Sequence, residues 1–229
     1  MRVLALDTAL GACSAAVVAF PSGEVVASRS VAMDRGHAEA LLPMVRDVIG
    51  ESGGFGGLAR IIATVGPGSF TGLRVALSAA RSFGLALRVP VVGVSTLTAF
   101  AAPILATGPR TSVAVAIDAR HGSVFFQSFW LDGKKAVGPA LMTIEAAAAT
   151  LSAGRVQLVG TGALAVAQAA RAIGAEVLCD EEQAAAPDVF WVARLGAAAD
   201  PAYAPPRPLY LRAASAVPQA GGRIPRVPA

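Results

Sequence analysis

Residues 3–7, VLALD, and residues 113–118, VAVAID, are two apolar runs that each end on an aspartate, Asp7 and Asp118, with a glycine four positions later, Gly11 and Gly122. Each run has the length of a buried strand, and the aspartate and glycine mark a tight turn after it. The chain then re-enters apolar strands, SAAVVAF (14–20) and SVFFQSFW (123–130), which end at the pairs Ser22-Gly23 and Asp132-Gly133. A third strand is expected to return from each pair, so that both halves open with a three-stranded meander. Helical segments follow over His37 to Ile49 and Thr143 to Ala153, Thr143 being a suitable N-cap for the alanine run behind it. Next, RIIATV (60–65) runs into Gly66-Pro67-Gly68 and RVQLV (155–159) runs into Gly160-Thr161-Gly162, and each G-x-G turn opens a further helix. The order βββαβα thus appears twice, and five landmarks recurring in one order predict an internal duplication.

Two such α/β units about a pseudo-two-fold axis resemble the duplicated ribonuclease H-like architecture shared by actin, sugar kinases and heat-shock chaperone ATPases. In that architecture the aspartate turns face a cleft and handle nucleotide phosphates and magnesium. Asp7-Thr8 and Asp118 stand where those turns would be. A tight turn after a strand offers backbone N–H groups to anions, and a nearby carboxylate holds a hard cation through water. The competing reading is an aspartate that caps its own turn. The loop GPGSFTGLR (66–74) invites the same two readings. Gly66, Gly68, Ser69 and Thr71 either cradle an anion at a helix N-terminus, or the glycines let a strand and a helix pack closely. No lysine follows the glycines, so the Walker phosphate-loop pattern fails.

Composition narrows the class. The chain has 229 residues, 55% apolar and 15% charged, enough to bury a core and too little charge for a disordered chain. Its net charge of +4 comes from arginines scattered along the chain, which alone does not argue for nucleic acid. Cys13 and Cys179 form neither a CxxC nor a Cys/His cluster, so neither a disulfide framework nor a zinc site is expected, in keeping with a reducing cytoplasm. Asp7 cuts short the apolar run that follows Arg2, and Leu10 to Cys13 only imitates a lipoprotein box, so the segment reads as a first strand and not an export signal. The longest uncharged stretch, Val89 to Pro109, contains Pro90, Gly93, Pro103 and Pro109 and reads as a buried strand with a short helix, not a membrane span.

Two helices carry more than one face. At 3.6 residues per turn, Leu73, Ala76, Leu77, Ala80, Phe83, Gly84 and Leu87 form a core face on the segment from about Gly72 to Arg88. Arg74, Arg81 and Arg88 share one edge, either solvated or in contact with nucleic acid or an acidic partner. Val75, Ala79, Ser82 and Ala86 make a small-residue edge that permits close approach of another helix. On the earlier helix, Ala38, Leu41, Leu42, Val45, Val48 and Ile49 are expected to face the core, with His37, Ala40 and Met44 on the flank. A second apolar side on both helices predicts a helix-bundle interface with another chain, although alanine-rich sequences generate such stripes by composition alone.

At ALDTALGACSAAVV (5–18), HAEALLP (37–43), GPGSFTGLRVALSAARSFGLA (66–86), VPVVGVSTL (89–97), DARHGSVF (118–125) and PLYLR (208–212), the sequence closely resembles the TsaB (YeaZ) family. These are non-catalytic subunits of the bacterial machinery that makes threonylcarbamoyladenosine beside the tRNA anticodon. The resemblance implies a heterodimer with the catalytic homologue TsaD through the two helices just described, joined by the ATPase TsaE, with tRNA met through the complex. It implies no cofactor of the chain's own, ATP or ADP belonging to the assembly. The same surface would serve a homodimer when the partner is absent. The catalytic homologue holds its metal by a His-x-x-x-His pair on a helix, whereas this chain has only His37 and His121, 84 positions apart. No metal site and no independent catalysis are therefore expected. The alternatives are a weak ATPase or phosphotransferase using Asp7, Asp118 and the glycine loop, and, last, a peptidase on Cys13 or Ser14, neither of which has an identifiable base. The expected organisation is a first half over 1–109, completed by a helix within 188–212, a second half over 110–187, and a basic tail over 213–229.

Overall fold

The computed structural model describes residues 1–108, 111–129, 136–151 and 154–212. The first half is β1 (Arg2–Asp7), β2 (Ala12–Ala19), β3 (Glu24–Ala32), α1 (His37–Glu51), β4 (Leu58–Gly66), α2 (Phe70–Leu87), β5 (Val91–Ser95) and α3 (Thr96–Ala106). The second is β6 (Ser112–Asp118), β7 (Ser123–Phe129), β8 (Ala140–Thr143), α4 (Ile144–Ala149), β9 (Val156–Val159), α5 (Ala163–Ala172) and β10 (Val177–Leu178), after which α6 (Val189–Ala198) closes the helical part. One sheet runs β3-β2-β1-β4-β5 and the other β8-β7-β6-β9-β10, the same order twice. Each first strand is antiparallel to the second and parallel to the fourth, with Asp7 opposite Ser14 and Asp118 opposite Val124.

The duplicated α/β architecture is therefore present, with each βββαβα unit extended by a fifth strand. The β5–α3 pair is the strand and short helix read from Val89 to Pro109. The two-residue β10 left no periodic signal in the sequence. None of the described helices is long and apolar enough to cross a membrane.

Strand alternation explains the layering. In the first sheet Leu4, Leu6, Ala15, Val17 and Ile61 point to one side, where α1 and α2 bury Leu41, Val45, Ala76 and Leu77. Val3, Ala5, Ala16, Val18 and Ile62 point to the other, where Val189, Val192 and Ala193 of α6 cover them. The second sheet repeats the arrangement. Ala114, Ala116 and Phe126 meet α4 and α5, while Val113, Val115 and Ile117 meet Leu97, Phe100 and Ala101 of α3. The chain thus sends α3 from the first half to cover the second sheet and returns after β10 with α6 to cover the first, which ties the two together. With each buried Leu or Phe side chain contributing about 1.5–3 kcal/mol, separating the halves would expose a large fraction of the core.

Several local expectations change. The second long helix begins at Phe70 rather than Gly72, because the Ser69 side chain caps it by accepting from the Gly72 N–H at 3.2 Å. It ends where Arg88 turns left-handed at φ 55°. Thr143 caps α4 as read, accepting from the Ala146 N–H at 3.1 Å, but α4 stops at Ala149 and residues 152 and 153 lie outside the described residues. So do the turn pair Asp132-Gly133, Trp130 and the tail 213–229. On α1 the core stripe runs Leu41, Met44, Val45, Val48, Ile49. Met44 is a core residue, 8% exposed, with its sulfur 4.0 Å from that of Cys13, and not a flank residue. Leu42, about 100° round the helix from Leu41, falls off the stripe and is 56% exposed, and Ala38 in the first turn is exposed as well.

Candidate functional site

The two aspartate turns share one hydrogen-bond pattern and differ in burial. Asp7 Oδ1 accepts from the Ala9 N–H at 3.1 Å, and Asp118 Oδ1 accepts from the Arg120 N–H at 2.8 Å, so each carboxylate caps its own turn. A threonine from the fourth-strand region reaches each turn. Thr64 Oγ1 donates to Asp7 Oδ1 at 2.5 Å, and Thr161 Oγ1 accepts from the Asp118 N–H at 3.0 Å. The glycines that open the two G-x-G turns match too, with φ of 106° at Gly66 and 105° at Gly160.

Asp7 is fully buried and Asp118 is exposed. Burial pushes the Asp7 carboxyl up to about 6, against the lowering effects of the Thr64 hydroxyl, the Ala9 N–H and the positive charge of His37. Its Oδ2 has no partner among the described residues. Thr8 is buried as well, its hydroxyl donating to the Gly72 carbonyl at 2.6 Å. Neither residue lines the cleft between the halves, contrary to the cleft-facing arrangement read from sequence.

The reason lies in the glycine loop. A Cβ at Gly72 would sit 2.0 Å from the Thr8 carbonyl oxygen, and one at Gly68 2.3 Å from that of Ala9. The Ser69 N–H also donates to the Ala9 carbonyl at 2.8 Å. The start of α2 therefore lies directly on the Asp7 turn and covers it, which is the close-packing role of the glycines. Gly66 is buried, Thr71 is exposed outside the cleft, and Ser69 is occupied as the helix cap.

The cleft itself has a volume of about 660 Å³. Its walls are Gly68 to Phe70, the Asp118–Arg120 turn, Asp34 ahead of α1, His37 at the start of α1, and a C-terminal strap, Leu209 to Arg212. The strap is held by the Leu209 N–H donating to the Val65 carbonyl at 2.7 Å and, further back, by the Gly93 N–H donating to the Ala204 carbonyl at 2.9 Å. Its approach to the glycine loop was not legible in the sequence, where PLYLR has no periodicity. His37 is half-buried, with Nε2 3.0 Å from the Leu10 carbonyl oxygen, and His121 is exposed. Arg120 and His121, at φ 66° and 54°, put two consecutive left-handed non-glycine residues in the second turn. Among the described residues no three His, Cys, Asp or Glu side chains gather as metal ligands.

The residues read as helical interface divide. Val75 and Ala79 are half-buried and pack on the core, and Ala40 does the same on α1. Ser82 and Ala86 are exposed, and between them stands Leu85, 82% exposed, which the sequence reading passed over. On α1, Leu42 is likewise exposed, at 56%. The proposed nucleophiles are enclosed: burial pushes the Cys13 thiol up to about 11, and Ser14 is buried with its hydroxyl 2.8 Å from that of Ser30.

Residues 25–186 match the family described as TsaD, tRNA N6-adenosine threonylcarbamoyltransferase. The tRNA threonylcarbamoyladenosine biosynthesis protein TsaB of Escherichia coli (strain K12) is 39% identical over 135 residues, covering 58% of this chain and 56% of that protein. The chain thus spans about half the length of the curated TsaB relatives it matches. The structure of YeaZ from Pseudomonas aeruginosa superposes with a TM-score of 0.72 at 28% identity, over 92% of this chain and 99% of that one. The ROK hexokinase of Thermus thermophilus, at a TM-score of 0.50 and 16% identity over 85% of this chain and 98% of that one, shares the fold alone. The chain therefore belongs to the tRNA N6-adenosine threonylcarbamoyltransferase family, on its TsaB/YeaZ branch.

Proposed function

We propose that this protein is a non-catalytic subunit of a tRNA threonylcarbamoyladenosine-forming complex, which pairs with a catalytic homologue of the TsaD type through the outward face of α1 and α2. The observation that carries the pairing is apolar exposure on both helices: Leu85 of α2 at 82%, next to the small exposed Ser82 and Ala86, and Leu42 of α1 at 56%. Leucines left in water beside small residues suit a second pair of helices, since small side chains let helix axes approach to 8–10 Å. Supporting the non-catalytic reading, the two histidines lie on separate elements and Asp7 is covered by the glycine loop. The subunit would act by binding the competent state of its partner more tightly than other states. An ATPase of the TsaE type joins this pair in the proposed assembly, with ATP or ADP bound there, and the same face forms a homodimer when the partner is absent.

The test is light scattering after size exclusion on the chain, on its TsaD-type partner and on the mixture, followed by a threonylcarbamoyl-transfer assay on each fraction. A heterodimer that alone modifies tRNA supports the proposal. Transfer by the isolated chain overturns it.

A further inference from the structure

At the cleft mouth, Phe70 and Tyr210 are 46% and 44% exposed, with ring centroids 5.1 Å apart and planes inclined by 35°. Arg74 lies over the Phe70 ring, its Cζ 3.8 Å from the centroid, and its Nε donates to the Tyr210 hydroxyl at 3.3 Å. Arg120 and Arg212 line the same cleft, the Arg120 side chain 84% exposed and only 3.9 Å from Asp118 Oδ2. Two turns along α2 from Arg74, Arg81 donates to the Pro206 carbonyl at 2.6 Å, which draws the strap against the helix. The cleft with its two half-exposed rings thus has three guanidiniums, Arg74, Arg120 and Arg212, against the carboxylates of Asp34 and Asp118 in its wall.

We propose that Phe70 and Tyr210, with Arg74, Arg120 and Arg212 about them, form a stacking platform for an unpaired base of an RNA strand whose phosphates follow the arginines. Exposed rings offer π-faces that any base can stack on, and arginines neutralise a phosphate backbone without needing a fixed geometry. A protein partner fits less well. Interface hot spots include arginine as well as tyrosine, but they sit in well-packed, desolvated pockets, and desolvating three guanidiniums against protein would demand a matched set of carboxylates. The platform is also separate from the helical face, since Phe70 and Leu85 are fifteen residues apart on α2, about 22 Å along its axis. The proposal rests on the tRNA-modification reading for the meeting with RNA, but its test uses this chain alone and does not depend on pairing.

The experiment is fluorescence anisotropy of a labelled 12-nucleotide single-stranded oligoadenylate RNA with the isolated chain over a range of salt, repeated with oligoglutamate of equal charge. The wild-type chain is expected to bind the RNA and to bind oligoglutamate about tenfold or more weakly. Neutralising three phosphates gives a log–log salt slope of about −2. Phe70→Ala and Tyr210→Ala should each weaken RNA binding about tenfold, Tyr210→Trp should retain it, and Arg74→Gln should make the salt slope shallower by about 0.7. Thermal unfolding of each variant shows that it is folded. Equal binding of RNA and oligoglutamate overturns the proposal, as does unchanged RNA binding by both alanine variants. Loss of pairing with the TsaD-type partner in those variants, with RNA binding intact, also overturns it and assigns the rings to a protein contact. Failure of the pairing test with RNA binding intact would instead remove the heterodimer and leave the platform.

Discussion

Thr64 Oγ1 donates to Asp7 Oδ1 at 2.5 Å beneath the start of α2, while Asp7 Oδ2 is buried without a partner among the described residues. One oxygen of a fully enclosed carboxylate is thus satisfied and the other is not, and the acid holds its proton up to a pH of about 6. The native state therefore binds this proton more tightly than the unfolded chain, whose aspartate titrates near 3.8. Stability from this group is fully present below the unfolded value and is lost as pH rises from about 4 to 6. A shift of about two units corresponds to a loss on the order of 3 kcal/mol. Asp7→Asn keeps an acceptor for Thr64 and Ala9 and removes the charge. Urea unfolding of both proteins between pH 4 and 8 should show the variant gaining on the wild type by about 2–3 kcal/mol as pH rises, with the difference constant above about pH 7. A pH-independent difference would mean that Asp7 is not carrying a buried charge at neutral pH.

Two glycines in different settings respond to alanine with opposite sign. Gly72→Ala would drive a Cβ into the Thr8 carbonyl oxygen, 2.0 Å away and part of the backbone, so neither side can yield cheaply. A loss of more than about 3 kcal/mol is expected, or no folded protein. Gly50→Ala, inside α1 with nothing within 4 Å of its Cβ position, should instead stabilise by about 0.5–1 kcal/mol. Paired thermal melts check both signs.

Arg60 links the halves through a C-terminal cap. Its Nη1 donates to the carbonyls of Gly196 and Ala197, both at 3.1 Å, and of Ala199 at 2.5 Å. These are carbonyls at the end of α6 that have no helical donor. Arg60→Ala should cost about 1–3 kcal/mol and loosen α6 from the first sheet, read as faster hydrogen exchange across 189–198 than across α1. Equal exchange in the two helices would show that apolar packing alone holds α6.

The duplicated fold was legible because its punctuation is chemical. Asp7 and Asp118 cap their turns, and Gly66 and Gly160 take the same left-handed φ, so the repeat survives in residues whose backbone roles are fixed. The site was less legible, because burial is a tertiary property. Nothing local separates Asp7 from Asp118, yet α2 covers one and leaves the other in solvent. Helical periodicity placed Leu41, Val45 and Val48 correctly, and it failed for Met44 and Leu42, which lie close to the edge of the apolar stripe, where a small rotation exchanges core for surface. Leu85 was overlooked because its neighbours Ser82 and Ala86 suggested a stripe of small residues alone. The Tyr210 contact with Phe70 and Arg74 joins positions 136 to 140 residues apart, beyond any local pattern.

The proposed pairing depends on the α1/α2 face, and the residue that tests it without disturbing the core is Leu85. Val75 and Ala79 are half-buried, so charging them would confound folding with binding. Leu85→Arg is expected to leave stability within about 0.5 kcal/mol of the wild type, as an exposed substitution. Light scattering of wild-type and Leu85→Arg protein, each mixed with the TsaD-type partner, is therefore the most direct measurement. A heterodimer is expected for the wild type, and for the folded variant separate components with threonylcarbamoyl transfer to tRNA lost. A Leu85→Arg protein that pairs and supports transfer as well as the wild type would contradict the proposed pairing.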